Sequence, residues 1–315
     1  MNKKLLIVIL LFDELQMDYF NQWYDIFQLL NFKSQLTFIM VTSQCKKNLH
    51  ITDMCTIERG YNPKPYLNRI TEEVLAWGIF KHVRKFDNKN NITDLRSLKN
   101  LKILKQDYDD KMDMKKFNEL DLIKLDIYGN EKIRDLTRMT NLKKLRIHIR
   151  TCISGGLTQE GIHGLNLVKF SLNSHYNITD VSFMKNLKVL VACGSRCGID
   201  QHGIRGLDLT SLDCGCNSKI TDVSFMRNLK SLRIAFDSGI GQQGIQGLNL
   251  YLLDASYNPK ITDVSFMRNL KILYTGPGID QKVIKNLDLI QLYAEDNENI
   301  VDVSFMRNLK YRVNF

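Results

Sequence analysis

The stretch Leu250-Tyr251-Leu252-Leu253-Asp254-Ala255-Ser256-Tyr257-Asn258-Pro259-Lys260-Ile261 decides the fold. Leu250, Leu253, Ala255 and Ile261 are spaced for a short strand with its apolar side chains inward, followed by a turn around Asn258. The same spacing starts at Leu101, Leu122, Leu142, Leu167, Leu187, Leu209, Leu229, Leu250, Leu270, Leu289 and Leu309. Steps between starts are 19 to 22 residues, with one of 25 from Leu142 to Leu167. An earlier start at Phe80, with Val83 and Phe86, fits the same register. One such unit cannot bury its inner face alone, so neighbours must stack. Chance agreement over these eleven units is implausible.

A longer period lies over the short one. Thr179-Asp180-Val181-Ser182-Phe183-Met184 returns at 221–226 and 262–267, and as Val301-Asp302-Val303-Ser304-Phe305-Met306. A second segment alternates with it, Gly198-Ile199-Asp200-Gln201-His202-Gly203-Ile204-Arg205-Gly206-Leu207 and again 239–248, with weaker copies at 161–165 and 278–287. The large unit is about 40 residues and holds two small ones. Phe183, Phe225, Phe266 and Phe305 are expected to fill the convex side of the core. The glycines of the second segment suit tight turns with positive φ. Asn130, Asn217, Asn258 and Asn297 share the position after the strand, where an amide can satisfy turn backbone above and below. Asp180, Asp222, Asp263 and Asp302 recur with the repeat and read as structural residues, not catalytic acids.

The L-x-x-L-x-L-x-x-N spacing resembles leucine-rich repeats. The expected fold class is therefore α/β: a leucine-rich-repeat solenoid with a parallel concave sheet, about 11–12 repeats of 19–25 residues, preceded by a small α-helical module. The expected boundaries are 1–50 for that module, 51–79 for a connector and N-terminal capping helix, and 80–315 for the solenoid. Leu67, Ile70, Val74 and Trp77 lie at helical spacing, with Glu72 and Glu73 in a first turn and Gly78 at the stop. At the other end the sequence runs to Phe315 inside a strand pattern, with no capping segment.

Before Ile51 the period changes. Trp23, Ile26, Phe27 and Leu30 follow one face of a helix, and Leu36, Ile39 and Met40 begin a second stripe. The run Asp25-Ile26-Phe27-Gln28-Leu29-Leu30-Asn31-Phe32-Lys33-Ser34-Gln35-Leu36-Thr37-Phe38 resembles the middle of an F-box. Val41 to Lys46 is similar to its later helix, while the motif's usual Leu-Pro opening is absent. With the alternating ITDVSFM and GIDQxGIxGL units, the chain resembles the F-box/leucine-rich-repeat proteins of giant amoeba viruses. The resemblance implies a subunit of a Skp–cullin–F-box ubiquitin ligase, with the repeats holding a substrate protein. Its adaptor-facing residues would be Ile26, Phe27, Leu30, Phe32, Leu36 and Phe38; read without the resemblance, these form the module's own core.

The formal net charge is +10. Much of it recurs with the repeat, as Lys185/Lys188, Arg227/Lys230, Arg268/Lys271 and Arg307/Lys310, which describes a solvated face more than a nucleic-acid site. The seven cysteines, Cys45, Cys55, Cys152, Cys193, Cys197, Cys214 and Cys216, are odd in number and scattered, unlike a disulfide framework. Four of them lie on adjacent units, but C-x₃-C with C-x-C is not a usual zinc spacing, and buried Cys packs as a small hydrophobe. No metal or cofactor is expected. Residues 5–12 form an apolar run too short to span a bilayer, and no small-x-small cleavage site follows them. An intracellular place, cytoplasmic or nuclear in a eukaryotic host cell, is expected over secretion, in which Asn91 and Asn177 would become glycosylation sites. There is no phosphate-binding glycine loop, no HExxH and no nucleophile with a base beside it, so no enzyme is expected.

Side chains between the inward leucines point out from the concave sheet and are the candidate partner-binding surface. Toward the front they are His82, Arg84, Lys105, Lys124, Lys144, Arg146, His148 and Lys169; toward the back, Asp254, Tyr274, Tyr293 and Glu295. Between them lie the small residues Ser171, Val191, Ser211, Gly215 and Ser231. Three functions stay open: a ligase substrate receptor, a protein-binding scaffold without an adaptor, and a secreted repeat protein.

Overall fold

A computed structural model describes residues 53–54, 83–88, 92–106, 114–148, 156–295 and 297–313. The F-box-like run, the expected capping helix at 67–77, and Cys45, Cys55, Cys152 and His82 lie outside the described residues. The chain divides into two compact units, 1–133 and 134–315.

In the first unit, β1 (Asp53–Met54), β2 (Lys85–Asn88), β3 (Ile103–Gln106) and β4 (Lys124–Tyr128) pair in parallel, each with the next. β1 adds a strand inside the stretch read as connector. The register also corrects the first repeat. Phe86 pairs with Leu104, and Val83 stands where Leu101 stands, so this unit begins at Val83 and not at Phe80. A short helix, α1 (Met114–Phe117), lies between β3 and β4.

Among the described residues, the second unit carries nine strands: β5 (Lys144–His148), β6 (Lys169–Asn173), β7 (Val189–Val191), β8 (Ser211–Asp213), β9 (Ser231–Arg233), β10 (Leu252–Asp254), β11 (Ile272–Tyr274), β12 (Gln291–Tyr293) and β13 (Tyr311–Val313). All pair in parallel in chain order. Leu145, Phe170, Leu190, Leu212, Leu232, Leu253, Leu273 and Leu292 form one buried row across it. Two residues on, Ile147, Leu172, Ala192, Cys214, Ile234, Ala255 and Ala294 form a second. This is the leucine-rich-repeat solenoid expected from the spacing.

Behind the strands, the chain returns through consecutive three-residue turns. In the copy at 178–187, Met184 N–H donates to Val181 O at 3.0 Å and Leu187 N–H to Met184 O at 2.9 Å. That rhythm sends Ile178, Val181, Met184 and Leu187 inward, all at most 1% exposed. The expectation for the recurring phenylalanines is overturned. Each precedes the inward methionine by one residue and so faces out, Phe225 being 39% exposed. Met184, Met226, Met267 and Met306 fill the core instead.

The glutamine of the second segment clamps the following turn. Gln201 Oε1 accepts from Thr221 N–H and Asp222 N–H at 2.9 Å, while its Nε2 donates to Asp222 O at 2.9 Å. Gln159, Gln242 and Gln281 repeat this bracket on the turns at 179–180, 262–263 and 301–302. The recurrent aspartates are structural, as read: Asp180, Asp222, Asp263 and Asp302 each accept from the serine N–H two residues on, at 2.8 Å. Lys188 and Lys271, read as solvated, reach the next unit's Asp208 and Asp288 at 3.0 and 2.6 Å.

The glycines serve two different needs. Gly206 and Gly247 have φ of +70° and +73°, as expected for turns. Gly203 does not need positive φ; it needs an absent side chain, because a Cβ there would lie 2.0 Å from Thr179 O. The approach lets Gly203 O accept Val181 N–H at 3.0 Å. Where valine takes this place, at Val283, the 3₁₀ turn seen at His202–Ile204 becomes an α-helical turn, α2 (Gln281–Ile284), capped by Asp280.

After β8, β10 and β12 an asparagine turns inward. Asn217 Nδ2 donates to Ala192 O and Ile199 O, both at 3.0 Å, and its Oδ1 accepts Lys219 N–H at 3.0 Å. Asn258 and Asn297 repeat the set. The amide thus serves its own turn and the preceding unit. In the β6 unit this place belongs to His175, which is 2% exposed and whose Nδ1 has no hydrogen-bond partner among the described residues.

Two predictions follow from this packing. Gly203→Ala should destabilise by about 1–3 kcal/mol in urea denaturation, because the new methyl meets backbone that holds the neighbouring turn. Gly215→Ala, whose Cβ would meet nothing nearer than 3.5 Å, should change stability by less than about 0.5 kcal/mol. Burial lowers the His175 pKa from 6.5 to about 4. Between those values the unfolded chain binds a proton that the folded chain refuses. Stability is therefore complete above pH 6.5 and is lost as pH falls toward 4. Denaturation should show a loss of about 2–3 kcal/mol between pH 7 and pH 4.5, and His175→Asn should remove that part of the pH dependence.

Candidate protein-binding face

Three rows of side chains point out from the strands of the second unit. They lie one residue before the buried leucine row, one after it and three after it. Their neighbours across the sheet are fixed by the parallel register, about 4.8 Å apart. Lys144 and Lys169 pair in the first row, and Arg146 and Ser171 in the second. His148 pairs with Asn173 in the third. Lys144, Arg146 and Lys169 are exposed and His148 is half-buried, so the β5–β6 edge of this face is basic as expected.

The middle is not small, and here the sequence reading needs correction. The second row continues Val191, Asp213, Arg233, Asp254, Tyr274, Tyr293. Ser211 and Ser231 are in the first row, so attention to them passed over Asp213 and Arg233 one turn of the pleat away. The signal was available, because both follow the inward leucine of their unit directly. Arg233 stands between two aspartates, yet it forms no ion pair with either among the described residues. Burial raises the Asp213 carboxyl above its usual range, with Asp254 adding to the rise and the Gly215 N–H and Arg233 opposing it.

Tyr274 and Tyr293 stack with ring centroids 4.1 Å apart and planes 4° from parallel. Burial, the hydrogen bond to Tyr293 and the charge of Asp254 raise the Tyr274 pKa, so its hydroxyl stays neutral. Asp254 Oδ1 accepts from Ser256 N and Oγ at 3.2 and 2.8 Å. Its Oδ2 takes no hydrogen bond among the described residues. Glu295 is exposed in the turn two residues past β12. The structure thus gathers Asp254, Tyr274 and Tyr293 on adjacent strands, with Glu295 just beyond the last, and adds Asp213 and Arg233.

The first unit departs further from expectation. Arg84 precedes β2 and belongs to none of the three rows; its carbonyl accepts Lys102 N–H and Ile103 N–H, both at 2.9 Å. Lys124 lies in the first row beside Ile103. Lys105 is beside Asp126 in register, so this sheet is not uniformly basic.

Burial holds the Cys193 thiol up at about 11 and also raises Cys197 and Cys214. Cys214 Sγ donates to Arg233 O at 3.7 Å and packs in the buried row as a small apolar residue. No group of three potential metal ligands occurs among the described residues. On the turn side, an open groove of about 370 Å³ is lined by Gln201, His202, Arg205, Gly206, Asp222 and Phe225. Gln201 and Asp222 there are committed to the clamp. No helix among the described residues is long and apolar enough to cross a membrane.

No protein-family model matches this sequence, and no curated protein matches it. Among solved structures, the chain is similar to a crystal structure of an internalin (inlF) from Listeria monocytogenes, with a TM-score of 0.49 and 20% identity. The match covers 75% of this chain and 75% of that one.

Proposed function

We propose that this chain is a non-catalytic protein-binding subunit that presents a substrate protein to a Skp–cullin–F-box ubiquitin ligase in the cytoplasm or nucleus of a eukaryotic host cell. The observation that carries the binding reading is the second row of the sheet face. Inward positions, clamping glutamines and ladder asparagines are copied from unit to unit, whereas Arg146, Asp213, Arg233, Asp254, Tyr274 and Tyr293 are not. Residues that the fold does not require, polarised along one face and including stacked tyrosines, suit recognition of another protein. The ligase reading rests on the likeness of residues 25–46 to an F-box. In it, residues 1–50 hold the adaptor through Ile26, Phe27, Leu30, Phe32, Leu36 and Phe38, and the solenoid holds the substrate. The alternative is a scaffold that binds protein through the same face without any adaptor.

Co-expression of the full chain with a eukaryotic Skp adaptor separates the two. The adaptor should co-purify with the full chain and be lost, at least about tenfold in affinity, from Ile26→Asp/Leu30→Asp. Well-folded full chain that retains no adaptor would overturn the ligase reading and leave the scaffold.

A further inference from the structure

Two pairs of aromatic rings lie at the acidic end of the sheet face, and only one is in the strands. Phe236 and Tyr257 follow β9 and β10, stacked with centroids 4.9 Å apart and planes 10° from parallel. They are 50% and 49% exposed. Their backbone is left-handed, with φ of +61° and +57°. The repeat explains the backbone but not the rings. The equivalent residues after β6, β7 and β8 are Ser174, Gly194 and Cys216, also at positive φ. There the N–H still pairs with the next strand, as Phe236 N–H does with Ser256 O at 2.8 Å, before the chain turns inward. Small residues meet that need at lower cost. A bulky aromatic at positive φ is strained, and its exposed ring recovers little by burial.

A carboxylate and a second aromatic face accompany this pair. Asp254 ends β10, three residues before Tyr257 in the chain, and lies one strand, about 4.8 Å, from Tyr274. Asp254 has an oxygen without a hydrogen bond among the described residues, and Asp213 and Glu295 add negative charge nearby. We propose that β9–β12 of the sheet face dock a segment of a partner protein carrying an arginine and, close to it in sequence, an aromatic side chain. The guanidinium lies between the Asp254 carboxylate and the Tyr274 ring, and the aromatic side chain packs on Phe236 and Tyr257. A carboxylate beside a tyrosine face favours a cation. This rests on the reading of the sheet face as protein-binding and gives that face a ligand.

The test uses the full chain and fluorescein-labelled peptides in which Arg-Ser-Gly-Phe is compared with Glu-Ser-Gly-Phe and Arg-Ser-Gly-Ser, followed by anisotropy. The first should bind at least about tenfold more tightly than either control. Asp254→Asn, which keeps the Oδ1 acceptor for Ser256, and Tyr274→Ala should each weaken it by about tenfold. Phe236→Gly should weaken it too, yet raise the melting temperature, a pairing that a merely structural ring would not give. Equal binding of the three peptides, or affinity unmoved by Asp254→Asn and Tyr274→Ala, overturns the proposal. Binding of the glutamate peptide alone, lost with Arg146→Ala, would overturn it while keeping the face as a protein-binding surface. Adaptor retention is read separately, through residues 26–38.

Discussion

Backbone buried between stacked units has no partner inside its own unit, and the rest of this solenoid depends on how that need is met. Strands settle it for three residues at a time through the parallel ladder. Beyond the strand, Asn217, Asn258 and Asn297 each reach two carbonyls of the preceding unit and one N–H of their own turn. On the return path, the glutamine brackets join each second segment to the turn that follows, and glycine carbonyls join it to the turn before. An unpaired carbonyl at any of these places would cost about 1–3 kcal/mol. His175 shows what a departure brings: it occupies the asparagine place without the asparagine's bonds, and its buried ring resists protonation.

This division of labour leaves one surface free to vary. The turn side is committed to inter-unit hydrogen bonds, and its glycines tolerate little change. The buried rows are held to leucine, methionine and small residues by close packing. Side chains that point out from the strands meet neither demand. The basic edge at β5–β6, the alternating Asp213, Arg233 and Asp254, and the two aromatic stacks all lie on this surface, where the repeat does not dictate the residue.

The leucine spacing made the solenoid legible because each unit repeats the same burial problem and solves it with the same residues. The structural role of the aspartates was legible for the same reason. What failed was the assignment of faces in irregular segments. Phe183 looked more suited to a core than Met184, but consecutive turns of three residues place the methionine inward, and hydrophobicity alone does not reveal that rhythm. Gly203 and Gly206 look alike in sequence; one is required by a neighbouring carbonyl, the other by its own φ. At the first repeat, Phe80, Val83 and Phe86 offered two registers three residues apart, and pairing of Phe86 with Leu104 selects the later one.

The candidate site was half legible. Asp254, Tyr274, Tyr293 and Glu295 follow from alternation along a strand, and so should Asp213 and Arg233. The stacking of Phe236 on Tyr257 could not be read, since both lie beyond their strands, where alternation no longer applies. The sequence by itself determined that units repeat, which residues are buried in the strands and that the sheet is parallel, because those depend on local spacing. Only the tertiary structure decided which side chains of neighbouring units become adjacent, since that depends on the register between strands some twenty residues apart.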